Sequence, residues 1–213
     1  MKIHRKHLRD WEHEKDIFED LDSDARYRRI YIGFAWPYLN KPGFACVMAE
    51  DDRQDFSLPY RPRHLRILAE HETPDIENLS RHLHKFKEDF CQRHVIGNDK
   101  NPLCRIMEQY QERHARLYIR RPYREEIEMT VFVQLIQKHT RTAKTLHFLE
   151  GSSLSGCLTN LQTEDLENRQ LEQYPPLSAL GLCLCEMEFN REAERNNSWS
   201  KFAKTLPKCL VSL

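Results

Sequence analysis

From Arg28 onward, apolar and polar positions alternate: Ile30, Ile32 and Phe34 are separated by Tyr31 and Gly33, and the pattern stops at Ala35-Trp36-Pro37. Period-two spacing is the mark of a β-strand. Asn40-Lys41-Pro42-Gly43 reads as a turn, and a second apolar run, Phe44 to Ala49, ends at Glu50-Asp51-Asp52. After a polar, proline-bearing loop, Leu65 to Ala69 predicts a third strand. Three strands without an intervening helix predict an antiparallel meander.

The period then changes. Ile76, Leu79, Leu83, Phe86 and Phe90 step by 3, 4, 3 and 4 and make one apolar helical stripe. Thr73 is the expected N-cap, with Pro74 at the first helical position and Asp75 and Glu77 near the positive helix end. A short strand is expected from His94 to Gly97. Asn98-Asp99-Lys100-Asn101-Pro102 then opens a helix carrying Leu103, Ile106, Met107 and Tyr110. Leu117-Tyr118-Ile119 and Leu146-His147-Phe148-Leu149 read as further strands. Helices are expected on Ile127, Val131, Leu135 and Ile136, around Leu154, Leu158 and Leu161, and from Pro175-Pro176 through Leu177, Leu180, Leu184 and Met187. Alternating helices and strands after a meander predict an α/β fold with a mixed sheet covered by helices. The first strand does not enter a helix through a glycine-rich turn, which excludes a dinucleotide-binding arrangement.

Residues 1–26 are dense in charge, with Leu8, Trp11, Phe18 and Leu21 at roughly helical spacing. They predict an amphipathic arm on the domain or on a partner. The expected organisation is this arm, one domain over 27–195 and a tail over 196–213. Lys plus Arg and Asp plus Glu are equal at 33 each, so any basic surface must be local rather than global. No apolar run reaches membrane-spanning length, and the charged start Met1-Lys2-Ile3-His4-Arg5 has no secretory apolar region. The seven cysteines lie in apolar contexts without a CxxC pair, which fits buried thiols in a reducing cytosol.

With this order of elements, the chain resembles the nuclease domain of phage terminase large subunits, a branch of the ribonuclease H-like superfamily. The stretches that carry the resemblance are Tyr31-Ile32-Gly33-Phe34-Ala35, Val95-Ile96-Gly97-Asn98-Asp99 and Tyr174-Pro175-Pro176-Leu177-Ser178-Ala179-Leu180. The resemblance spans about residues 28–190. It implies carboxylates from the first strand, the end of the fourth strand and the last helix, converging on two Mg²⁺ ions that activate water and stabilise a phosphodiester leaving oxygen. Carried over by position, the first acid falls on Ala35, the second on Asp99 and the third near Ser178. One carboxylate of the three is present. The resemblance therefore implies a catalytically impaired module that acts in nucleic-acid binding or DNA packaging, with phage packaging proteins as partners.

Two alternatives stand beside it. An active Mg²⁺-dependent nuclease would use relocated acids, Glu70 or Glu72 with Asp99 as metal ligand and catalytic group. A protein-interaction module would dock a partner through the N-terminal arm. Asp99 reads equally as a helix cap, and Glu70 and Glu72 as solvated acids at a strand end. Arg28, Arg29, Arg61, Arg63, Arg120 and Arg121, interleaved with Tyr27, Tyr60 and Tyr123, are the candidate phosphate contacts, or else partners of the equally numerous acids. Cys91 and His94 have a C-x-x-H spacing without a second ligand pair, which is too little for structural zinc.

Overall fold

The computed structural model describes residues 2–10, 13–37, 39–52, 64–97, 117–120, 129–142, 144–160 and 174–205. The expected meander is present as β3 (Arg26–Ala35), β4 (Gly43–Asp51) and β5 (Leu65–Thr73). Pairing is antiparallel throughout, with Gly33 opposite Cys46 and Cys46 opposite Glu70. Every residue of β4 is buried because helices cover the sheet on both faces. That is why its sequence is a continuous apolar run rather than an alternation.

The arm does not form a helix. It is a β-hairpin, β1 (Ile3–Asp10) and β2 (His13–Asp20), that extends the meander, with Phe18 and Glu19 of β2 paired to Tyr27 and Arg26. Ile3, Ile17 and Phe18 are buried. Phe18 is buried while Leu21 is exposed, so the two do not share the one apolar face that a helical spacing implied.

After β5 comes α1 (Ile76–Asp89), capped by Asp75 and not by the expected Thr73, two positions earlier: the Asp75 side chain accepts from the Glu77 amide at 2.9 Å. Thr73 is still in the ladder, opposite Gly43, and its hydroxyl accepts from the Asp75 amide at 3.2 Å. Strand β6 (Val95–Ile96) then lies parallel to β3, with Ile96 beside Gly33, and β7 (Ile119–Arg120) lies parallel to β6. At the other edge β8 (Leu146–His147) joins β5, also in parallel. The remaining described helices are α2 (Met129–Gln137), continued by a π-turn at Lys138–Thr142, then α3 (Ser153–Asn160) and α4 (Pro175–Thr205). α4 continues through residues 195 and 196, where a tail was expected to begin.

The fold is thus the expected mixed, meander-first α/β sheet, with the fourth expected strand beside the first. One core lies between the sheet and α1, built on Ile32, Phe34, Val47, Leu79 and Leu83. The other lies between the sheet and α4, built on Phe44, Met48, Leu177, Leu180 and Cys183. α4 presses directly on β3: a Cβ on Gly33 would sit 2.6 Å from the Cys183 sulfur and closer still to the Ala179 carbonyl oxygen. Among the described residues, no helix is long and apolar enough to cross a membrane.

Candidate functional site

One edge of β3 serves two strands. β2 pairs with it at Arg26 and Tyr27, and β6 pairs with it at Gly33. Among the described residues no strand continues the ladder between those points. A β-bulge falls in the same stretch, because Tyr27 opposes Asp51 while Arg29 opposes Glu50, leaving Arg28 as the extra residue. Bulges re-aim side chains at sheet edges. The result is a notch in the sheet of about 360 Å³.

Its floor is Arg28, Arg29, Ile30 and Tyr31 of β3, and one wall is Asp16 and Phe18 of β2. Arg120 of β7, with His94 and Gln92 before β6, forms the other wall, and Glu186 and Asn190 of α4 close the back. Three expected phosphate contacts, Arg28, Arg29 and Arg120, therefore meet in one place. Arg61, Arg63 and Arg121 lie outside the described residues, as do Tyr60 and Tyr123. Tyr27 is a core residue at 3% exposure and offers no stacking face.

Charge in the notch is uneven. Asp16 is answered by Arg5 and His7 on β1, whose hydrogen bonds lower its pKa. Glu186 is 1% exposed and pairs through Oε1 with Arg120 Nη1 at 3.0 Å. Burial pushes its carboxyl above the ordinary range despite the Arg120 charge. Burial, assisted by Arg120, pushes His94 down towards the neutral imidazole. Tyr31 is pushed up to about 12, by burial first and by the Glu50 charge second. The Glu186 Oε2 and Tyr31 hydroxyl atoms are buried without a hydrogen-bond partner, although Arg29 and Asn190 lie close to the tyrosine. Orphaned buried polar atoms are rare in folded proteins because each costs about 1–3 kcal/mol.

The candidate acids are elsewhere. Glu70 and Glu72 stand on β5, opposite Cys46 and Phe44 of β4. Glu70 supports the start of α3: its Oε1 accepts from the Ser152 hydroxyl at 2.5 Å and its Oε2 from the Leu154 amide at 3.5 Å. Negative charge at a helix N-terminus is stabilising. Ser152 in turn accepts from the Ser155 amide at 3.0 Å. Glu72 is exposed. Asp99 lies outside the described residues. Among the described residues, no group of three or more His, Cys, Asp or Glu side chains is placed to hold a metal ion. The positions to which the resemblance assigns carboxylates hold Ala35 and Ser178. The Cys91 thiol donates to the Ile3 carbonyl at 3.3 Å.

Sequence reasoning missed Glu186, Tyr31 and Asn190. A signal for the first existed: one carboxylate interrupts the apolar helix stretch Leu182-Cys183-Leu184-Cys185-Glu186-Met187. A lone acid among core residues is almost never fully buried unless it is paired.

The fold and site define a mixed α/β domain with a basic notch at a sheet edge. No protein-family model matches the chain, and no curated protein does. Among solved structures it is similar to the fowlpox virus Holliday junction resolvase, with 10% identity, a TM-score of 0.35, and coverage of 78% of this chain and 99% of that one. An overlap that loose bears on neither fold nor function.

Proposed function

We propose that this domain binds the sugar-phosphate backbone of nucleic acids through the notch and does not cut it. The observation that supports the reading is the convergence of Arg28, Arg29 and Arg120 from two strands on one cavity. Guanidinium groups offer forked donors that match phosphate oxygens. The resemblance to terminase nuclease domains gives such a module a place in a phage DNA-packaging complex, where it would act as a DNA-gripping element.

Fluorescence anisotropy of labelled single- and double-stranded DNA, titrated across salt, tests it. Three phosphate contacts on a single strand give a slope of log K against log salt of about −2. The paired change Arg28→Ala with Arg29→Ala should flatten that slope and weaken binding at every sequence alike. Absence of DNA affinity at low salt would sink the reading and leave the hairpin as a protein-docking arm.

A further inference from the structure

We infer that the notch takes one unpaired nucleotide, with its phosphate on the arginines and the amine edge of its base on Glu186 Oε2 and the Tyr31 hydroxyl. This rests on the nucleic-acid reading above and goes further, since phosphate contacts alone carry no preference between bases or between single and double strands.

Three observations lead there. The cavity, about 360 Å³, lies within the range of small-ligand sites, about 300–1,000 Å³. It is bounded by two strands bonded to one edge of β3, so a stacked base pair cannot enter while a single extruded base can. Its two orphaned atoms, on residues at 1% and 5% exposure, have a definite hydrogen-bonding character. A carboxylate oxygen accepts, and a phenol oxygen can accept as well.

An exocyclic amine carries two hydrogens on one nitrogen and can serve both atoms at once. Cytosine and adenine present such an amine on the edge that pairing would otherwise occupy, and thymine does not. Phe18 and Ile30 give the cavity an apolar lining, and Arg28 and Arg29 stand on the same strand to hold the adjoining phosphate. Glu186 Oε1 stays with Arg120, which fixes the carboxyl so that Oε2 is the free acceptor.

Anisotropy with labelled oligodeoxycytidylate, oligodeoxythymidylate and a mixed-sequence duplex is the test. The intact protein should bind the cytidylate about tenfold more tightly than the thymidylate, and either single strand more tightly than the duplex. Glu186→Gln and, separately, Tyr31→Phe should bring the cytidylate-to-thymidylate ratio towards one. The ratio is the readout because removing a carboxylate raises affinity for any DNA. Tyr31→Phe keeps the ring in the core and serves if Glu186→Gln does not fold. Equal binding of the two strands, duplex binding as tight as single-strand binding, or a preference that survives both substitutions overturns the inference while leaving the backbone reading intact. A protein that binds none of the three probes removes both.

Discussion

At Gly33 the hydrogen side chain is a packing requirement rather than a conformational one. α4 runs so close to β3 there that a methyl group would overlap the Ala179 backbone and the Cys183 sulfur. Neither can retreat, since both residues are fully buried in the core between sheet and helix. Gly33→Ala should destabilise the protein by about 1–3 kcal/mol, read as a lower urea midpoint at unchanged slope. Glu188 gives a second expectation at this scale. It pairs with Lys138 at 2.8 Å, His139 at 3.5 Å and Arg191 at 3.6 Å, and these partners, His139 first, hold its pKa at about 2. A depressed carboxyl stabilises the fold above its ordinary value of 4.5 and ceases to do so as pH falls towards 2. In Glu188→Gln that acid-side loss should shrink by about 1–2 kcal/mol, less than the whole shift because Lys138 is half exposed. Denaturation curves collected from neutral to acid pH measure it. Little of this network was legible in the sequence. Lys138, His139, Glu188 and Arg191 are ordinary charged residues until two helices bring them together.

Secondary structure was legible where one period dominated. Ile76 to Phe90 follows a helical stripe and folds as α1, and the alternation at Ile30, Ile32 and Phe34 folds as β3. It was illegible in β1 and β2, where stability comes from cross-strand partners such as His7 with Asp16, nine positions apart and invisible to a local window. The short strand β8 shows the same dependence. It pairs with the sheet at Leu65 with Leu146 and Arg66 with His147, and beside it His64 Nδ1 and His147 Nε2 lie 2.7 Å apart. One ring must donate and the other accept, so the pair holds only while at least one is neutral. Burial, then the nearby His64 and Arg66 charges, lower the His147 pKa. A lowered imidazole stabilises the fold above its unfolded value of 6.5 and loses that contribution as pH falls below it. The urea midpoint should therefore drop on mild acidification, and His147→Asn should blunt the drop. An acid-insensitive midpoint between neutrality and the onset of carboxylate titration would remove the histidine pair as its cause.

At the scale of the whole molecule, strand order decides what the acids can do. Gly33, Cys46 and Glu70 form one row across β3, β4 and β5, and Ala35, Phe44 and Glu72 form another. Adjacent strands are about 4.8 Å apart, so each glutamate lies roughly 10 Å from β3 and a strand further from β6, the strand that leads to Asp99. Cys46 and Phe44 fill the interval completely, with 0% exposure. A two-metal centre holds its ions about 3.5–4 Å apart with ligand oxygens about 2.1 Å from each. Cys46 and Phe44 thus stand between the β5 glutamates and β3, and Glu70 is already committed to α3. Labelled single- and double-stranded DNA incubated with the protein in Mg²⁺ or Mn²⁺ should stay intact under conditions where anisotropy shows it bound. Cleavage that follows the protein through purification and disappears in Asp99→Ala would show that residues beyond these rows assemble a working centre. Cleavage lost instead in Glu70→Gln would show that β5 reaches it after all.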